Sequence, residues 1–573
     1  MIVIPRRELD SIVSTDELFW KLFGWPVLDD KVLENVREIL ESPDTHKQLY
    51  ADEASRRYPL EIRQKLHQAG IGEILFGATE ESNGRSTVPH LYALIYLCSR
   101  SSVSIGIDVG VNALGLLPIY RVGTSEQKAR VAQAIRDGKY FSFLVSEKDH
   151  GSDVFSNEFF HDTGLVDGNT VYSLSGEKDW INGGGTHEYH LVLSRDKDSL
   201  RARTTARSFT LFLTHTDDKS ISVTRKWRNC PAPAADISSV VYRQHTCRRT
   251  DRVGKTGSGF SVMQDAFSVT RGVVGVGAWG LASKVTDAVN QQLSTRCLYH
   301  KPLIEIEVIA EKLEQVRALE LIIGCLVMKC LYIQNCFGVG ASHYSNITKY
   351  ASTKFLENMV ILGKDLLSAR SLLQEFDFHR VLRDYPLFAV FDGTADICLE
   401  QVQSKLTQCT TTLFSSSVSL KEFSEIFTSE PRSCHDSFSQ ENDGGLILFR
   451  TDDYAAATDV GDAYDIDIHF LSSYLMHEVE ILKNTGQWFK HQTLRHDAAK
   501  ALVHLECIFA INDICARNSG RDRLASAETR AVAICAEKVS RHLLMLPAAD
   551  DTKTRRLSVI HAESVAQQRY IQN

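Results

Sequence analysis

The hydrophobic period of this chain changes twice along its length, and that change limits the fold more than any other feature. Apolar residues first recur at helical spacing. Leu18, Phe19 and Leu22 follow Thr15 and Asp16, and Val32, Leu33, Val36, Ile39 and Leu40 follow Asp30. From Phe141 the pattern becomes short β-rich runs parted by Gly, Asp and Asn: Phe141–Ser146, Val171–Ser175, His190–Ser194, Ser208–Thr214 and Ser220–Thr224, with Val240–Tyr242 a further strand. Helical spacing returns after Gly259 and persists to Leu406. The expected plan is a helical domain over 1–140, a small middle β-domain over 141–250 and a helical bundle over 251–406. Residues 407–450, Ser/Thr-rich at Thr410-Thr-Thr and Ser415-Ser-Ser, read as a linker. Leu471, Leu475, Val479 and Leu482 then open a helical extension over 451–573. At about 150 residues per domain the length allows three to four domains, which this plan fills.

Composition narrows the function classes. A net charge of −8 gives no global attraction to nucleic acid. The 13 cysteines are odd in number and lack zinc-like spacing; Cys325, Cys330 and Cys336 belong with the apolar run Leu319–Ile333 and read as buried hydrophobes in a reducing compartment. The start, Met1-Ile-Val-Ile-Pro-Arg-Arg, lacks a secretory h-region. No window of about 18 residues is apolar without charge, since even Leu319–Ile333 contains Glu320 and Lys329. A cytoplasmic protein without an integral membrane segment is expected.

Several motifs are weaker than they look. Gly275-Val-Gly277-Ala-Trp-Gly280 matches GxGxxG but follows a helical segment, so close helix packing explains it better. Gly254-Lys255-Thr256 lacks the first glycine of a phosphate loop, where Arg249 stands. Asp459, Asp462, Asp465, Asp467 and His469 lack the Gly and Glu of a calcium loop. On a strand, His187 and His190 would face opposite sides, so no metal is read there.

The informative stretch is Phe143-Leu-Val-Ser-Glu-Lys-Asp-His-Gly-Ser-Asp-Val154, continued by Tyr172-Ser-Leu-Ser-Gly-Glu-Lys-Asp-Trp-Ile-Asn-Gly-Gly184. In order along the chain come Ala69-Gly-Ile, Glu81-Ser-Asn-Gly84, Gly123-Thr-Ser-Glu-Gln-Lys128, Gly257-Ser-Gly-Phe260, Thr270-Arg271, Arg296 and Leu382-Arg-Asp384 before Phe391-Asp-Gly-Thr394. Together these resemble the acyl-CoA dehydrogenase family over residues 60–405. The resemblance implies a helical N-domain, a β-barrel-like middle domain and a four-helix-bundle C-domain, with FAD as cofactor and a homodimer or homotetramer as assembly. It places Phe143, Val145, Ser146 and Ser152 along the flavin, Trp180 against its ring and Asn182 at N5, where the family usually has Thr or Ser. Arg296 and Tyr299 would serve the pyrophosphate and adenine end, and Thr394 and Asp396 also sit at FAD-contacting positions. Ser152, Phe267 and Arg271 would hold substrate.

Departures from the pattern carry as much weight. Tyr299 replaces the usual Phe, Leu298 a hydroxyl residue, His300 a Gly and Glu307 a Gln, while Val360-Ile-Leu-Gly363 keeps one glycine of the adenine loop and loses its glutamine. In Phe267-Ser268-Val-Thr-Arg271 the arginine remains but the acid that holds the pantetheine arm is gone, leaving CoA and a phosphopantetheine carrier protein both open. At the catalytic position relatives carry Glu; this chain has Asp392, a carboxylate base shorter by one C–C bond, about 1.5 Å. The nitroalkane oxidase branch has such an Asp, with an Arg seven residues on where Leu399 stands here. Other branches put a base just before the arginine, a slot filled here by Thr270, which cannot act as one.

The leading expectation is α,β-desaturation of an acyl thioester with Asp392 abstracting the α-proton; the electron acceptor stays open. The alternatives are a flavin oxidase or monooxygenase on a non-thioester, and a non-catalytic subunit completing a partner's FAD site. The tail is similar to the helical extension of very-long-chain members and is read as dimer-supporting.

Overall fold

A computed structural model of the chain describes residues 30–76, 87–201, 203–408, 468–515, 525–546 and 551–570. Asp30 starts the first helix as its spacing implies: its Oδ1 accepts the N–H groups of Val32 and Leu33 at 2.9 and 3.1 Å, capping α1 (Lys31–Glu41). The expected helix start at Asp16 and the stretch Glu81–Gly84 lie outside the described residues. Helices α2 (Pro43–Ser55), α3 (Leu60–Gln68), α4 (Ile71–Leu75), α5 (Val88–Ser101) and α6 (Val103–Val122) follow. By length and composition α6 is apolar enough to cross a membrane, but it is a core helix, 83% buried over that window, and it carries Asp108. Thr124 and Gln127 form a reciprocal capping box at α7 (Ser125–Arg136). The Gln127 amide also donates to the carbonyls of Thr250 and Arg252 at 2.8 and 2.9 Å, which ties this helix to the end of the β-domain.

The middle of the chain is one sheet built from β1 (Phe141–Leu144), β2 (Phe160–Val166), β3 (Asn169–Asn182), β4 (Tyr189–Asp196), β5 (Phe209–His215), β6 (Ile221–Lys226), β7 (Ile237–Arg248) and β8 (Arg252–Val253). Its order is β6-β7-β3-β2-β4-β5-β8, with β1 parallel to β4 at the edge of that path. Several runs differ from expectation, among them β7, which extends beyond Val240–Tyr242 at both ends. β3 is far longer than Val171–Ser175, and it stays paired with β7 by absorbing irregularities at Leu174/Gly176 and Lys178/Ile181. β2 was not visible as a strand, because from Asp162 to Val166 every residue is exposed and no apolar alternation marks it.

The bundle begins with the 37-residue α8 (Gly259–Thr295), followed by the short pair β9 (Cys297–Leu298) and β10 (Lys301–Pro302), then α9 (Glu307–Phe337), α10 (Ser342–Leu367), α11 (Phe378–Asp384) and α12 (Ala395–Gln408). The GxGxxG stretch lies inside α8. A Cβ on Gly275 would sit 2.7 Å from Thr348 of α10, and one on Gly280 2.7 Å from the carbonyl of Tyr96 on α5. The glycines are there for close helix packing. Helix α12 runs to Gln408; the rest of the expected linker and the acids Asp459 to Asp467 lie outside the described residues.

Beyond residue 467 the helices α13 (Ile468–Asn484), α14 (Gln487–Lys490), α15 (Gln492–Cys515), α16 (Ala525–Leu544) and α17 (Asp551–Tyr570) form an extension docked on α9 and α12. The Trp488 indole donates to Thr407 at 2.8 Å. Deeper in the joint Lys329 of α9 is completely buried between Asp513 (2.9 Å) and Glu506 (3.6 Å) of α15, and the Tyr344 hydroxyl donates to Glu506 at 2.9 Å. Burial pushes the Glu506 carboxyl up to about 7 despite the lysine. An acid whose folded pKa lies above its unfolded one stabilises the fold below the unfolded value and loses that stabilisation as pH rises through about 7. Thermal denaturation should therefore show the melting temperature of the parent chain falling from pH 5 to pH 8 more steeply than that of Glu506→Gln; equal slopes would remove Glu506 from the joint's energetics.

Candidate active site

The end of β1 and the second half of β3 are held together by a buried charge pair. Lys178 is wholly buried, and its Nζ donates to the carbonyl of Val145 (2.9 Å) and to Glu147 Oε1 (2.8 Å). Glu147 also accepts the N–H groups of Glu158 and Phe159 at 2.6 and 3.1 Å. Burial lowers the Lys178 pKa, and the Glu147 charge opposes that shift. The neighbouring carboxylate, Asp179, accepts the Trp227 indole (2.7 Å), the Ser239 hydroxyl (2.6 Å) and the Trp180 N–H (2.8 Å). These bonds hold Trp180 at φ 63°, a rare conformation for so large a residue, and turn its ring onto Trp227 with centroids 4.4 Å apart. Trp180 is 46% exposed, so it is not a core tryptophan.

Across the site the chain leaves α11 and makes the turn Phe391–Gly393 before α12. Asp392 and Gly393 both take positive φ, 57° and 90°. All three carbonyls of this turn are held by cations. Arg271 Nε donates to the Asp392 carbonyl at 3.2 Å, while the buried Lys349 ammonium reaches the carbonyls of Phe391 and Gly393. Arg271 is fixed in turn by Asn346 Oδ1 at 2.8 Å. The Asp392 side chain accepts the Thr270 hydroxyl at Oδ2 (2.7 Å), and its other oxygen, Oδ1, is shielded and has no protein partner.

These elements enclose one cavity of about 410 Å³. Phe143, Val145, Ser146, Ser152, Trp180, Asn182, Phe267, Arg271 and Asp392 all line it, so nine of the candidate residues converge. Ile95, Ile107, Leu114, Val274 and Phe388 form an apolar wall. The remaining four candidates do not line the cavity. Arg296 and Tyr299 stand in the exposed β9–β10 hairpin, Tyr299 at 86% exposure, and Thr394 and Asp396 open α12. Asp392 caps no helix; α12 starts at Ala395, with Thr394 Oγ1 accepting the Ile397 N–H at 3.4 Å. The acid missing from the Phe267–Arg271 segment is not replaced nearby: Asp265 is engaged by Arg121 at 2.5 Å. Sequence reasoning passed over Lys349 and gave Thr270 no role. A lysine at a core-facing position of α10 is the signal that marks the first.

The cavity suits the isoalloxazine half of FAD. Its walls include Phe143 and Trp180, and both polar atoms of the Asn182 side chain are buried at its edge without a protein partner, as a polar ring edge would require.

Residues 142–244 match the acyl-CoA dehydrogenase middle domain and residues 257–407 the acyl-CoA dehydrogenase C-terminal domain. The chain is 23% identical over 351 residues, 60% of its length, to a probable medium-chain specific acyl-CoA dehydrogenase of Caenorhabditis briggsae, covering 82% of that protein. Its fold is similar to that of an acyl-CoA dehydrogenase complexed with FAD from Bacillus anthracis, at a TM-score of 0.73 and 15% identity, over 100% of this chain and 98% of that one. It is also similar to the prolyl acyl carrier protein oxidase AnaB, at a TM-score of 0.58 and 16% identity, over 68% of this chain and 99% of that one.

The charge pair behind the cavity gives a direct test. Lys178→Met strands Glu147 in the interior and should cost about 3–5 kcal/mol in urea denaturation, as breaking a buried pair does. Lys197→Met, which removes the exposed pair with Asp162, should leave the urea midpoint nearly unchanged.

Proposed function

We propose that this chain, which carries the middle and C-terminal domains of the acyl-CoA dehydrogenase family, is a FAD-dependent enzyme that desaturates an acyl thioester with Asp392 as its base. The observation that carries the reading is the Asp392 carboxylate: one oxygen is fixed by Thr270, the other is unpartnered, and both share a cavity with Asn182 and Trp180.

Bound FAD supplies the two-electron acceptor for a hydride from the substrate's β-carbon. Asp392 Oδ1 takes the α-proton, for which it needs placement more than basicity. The Thr270 hydroxyl bond at Oδ2 fixes the carboxylate's rotation, and the clamped turn fixes its height over the cavity. The positive φ of Asp392 and Gly393 sets the path of the backbone that carries this shorter side chain. Trp180, Phe143 and Asn182 bound the flavin side, and the wall of Ile95, Ile107, Val274 and Phe388 takes an acyl chain out of water. In this reading Ser152, Phe267 and Arg271, which line the same cavity, serve the thioester arm, whether on CoA or on a carrier protein. Arg296, Tyr299, Thr394 and Asp396 lie outside this cavity, so in this reading they serve the pyrophosphate and adenine end in a homodimer or homotetramer. The same residues also allow a flavin oxidase, because an Asp base works equally on a non-thioester carbon acid.

The purified protein should be yellow with FAD, and Asp392→Asn should slow anaerobic flavin bleaching by an acyl thioester by roughly 10²–10⁴-fold, the range for loss of a general base. Rapid reoxidation of the reduced enzyme by air would decide for the oxidase. A colourless protein that takes up no FAD would leave only a non-catalytic role.

A further inference from the structure

A buried Ser–His–Asp chain runs from α6 to the turn that ends β3. Asp108 Oδ1 lies 2.9 Å from His187 Nε2, His187 Nδ1 lies 2.8 Å from the Ser142 hydroxyl, and that hydroxyl lies 2.8 Å from the main-chain carbonyl of Asn182. The order is that of a hydrolase triad, but a nucleophile must reach substrate. Ser142 is fully buried and does not line the cavity, and what it meets is a peptide carbonyl. The chain therefore ends on the residue that edges the flavin site.

Counting protons gives it a direction. The Asn182 carbonyl only accepts, so the single Ser142 proton goes there and the hydroxyl oxygen accepts from Nδ1–H. Asp108 also accepts the Tyr58 hydroxyl at Oδ2 (2.7 Å), so the imidazole bridges a fixed carboxylate and the Ser142 hydroxyl through its two ring nitrogens. Around it Tyr140 packs edge-on at 5.3 Å, and Arg63 donates to the Thr186 carbonyl at 3.2 Å and to Glu188 at 2.7 Å. The turn closes directly on the imidazole: Gly183 has φ 73°, and a Cβ there would fall 2.3 Å from Nδ1. His187 N–H returns to the Gly183 carbonyl at 2.8 Å.

We propose that Asp108, His187 and Ser142 are positioning residues that fix the Asn182 peptide, and through it the amide that meets the flavin edge. This rests on the FAD reading above. None of the three touches the flavin; they act through Asn182, whose side chain carries two buried polar atoms with no protein partner.

The test has one arm without FAD and one with it. In protein free of FAD, hydrogen exchange of the peptide over 181–187 should be about fivefold to tenfold faster in Ser142→Ala, as loss of one buried hydrogen bond predicts. In FAD-loaded protein, Ser142→Ala should move the flavin's visible absorption and midpoint potential in the same direction as Asn182→Ala, and should add nothing in the Asn182→Ala background. Asp108→Asn, nearly isosteric, repeats both comparisons if Ser142→Ala does not fold. Unchanged exchange and an unchanged potential overturn the proposal, as does a potential shift that adds in full to that of Asn182→Ala. If the unaltered chain binds no FAD, the functional reading falls together with the flavin-directed role, while the exchange arm still shows whether the chain of bonds orders the turn.

Discussion

The turn Phe391–Gly393 has three carbonyls and no strand or helix of its own to satisfy them, and this constraint organises the site. Buried main-chain oxygens need donors. Here they come as charges, Arg271 from α8 and Lys349 from α10, each carried into the core on a helix that the rest of the bundle holds rigid. Burial disfavours the charged form of Lys349, and the nearby Cys398 and Asp392 oppose that shift. Asp392 is aimed by this arrangement rather than by its own neighbours in sequence. The same cations leave the carboxylate itself nearly free, so only Thr270 holds it.

The opposite wall uses the same device, a buried lysine on a main-chain carbonyl, and adds carboxylates to it. Lys178 ties the Val145 carbonyl and Glu147 to β3, and Asp179 gathers two tryptophans. The family-like motif residues therefore divide into two groups. Trp180, Asn182, Phe143 and Ser146 face the cavity, whereas Glu147, Lys178 and Asp179 stand behind it and make the loop geometry reproducible. The extension follows the pattern at larger scale, since Lys329 on α9 meets Glu506 and Asp513 on α15 where two helical layers join.

Periodicity made the helix–sheet–helix order legible, because amphipathic helices and the better-alternating strands announce themselves locally. It missed β2, whose side chains face water, and it shortened β3, whose length depends on pairing with β7. Motif order brought nine candidate residues to one cavity, since those motifs lie at the ends of strands and at a helix entry. It gave no hint of Lys349 or of the Asp108–His187–Ser142 chain. Those partners are far apart in sequence, and a lysine or histidine in an apolar helix or strand shows its purpose only when the group it meets is known. His187 was set aside as a metal ligand on the premise that it shares a strand with His190, but it lies in the turn between β3 and β4, and its hydrogen-bonding role went unread.

With Asp392 as the base of the proposed reaction, its shorter side chain constrains the substrate. An aspartate reaches about 1.5 Å less than a glutamate on the same backbone. Either the turn or the substrate has to supply that distance, and the turn has little freedom with three clamped carbonyls. Its two successive positive φ angles, 57° at Asp392 and 90° at Gly393, fix the path of the backbone there. In the proposed reaction that distance would fall to the substrate, whose α-carbon would sit nearer the turn than a glutamate needs. In the proposed reaction the apolar wall formed by Ile95, Ile107, Val274 and Phe388 would serve positioning as well as recognition, because an acyl chain that failed to fill it would leave the α-proton out of reach of Asp392.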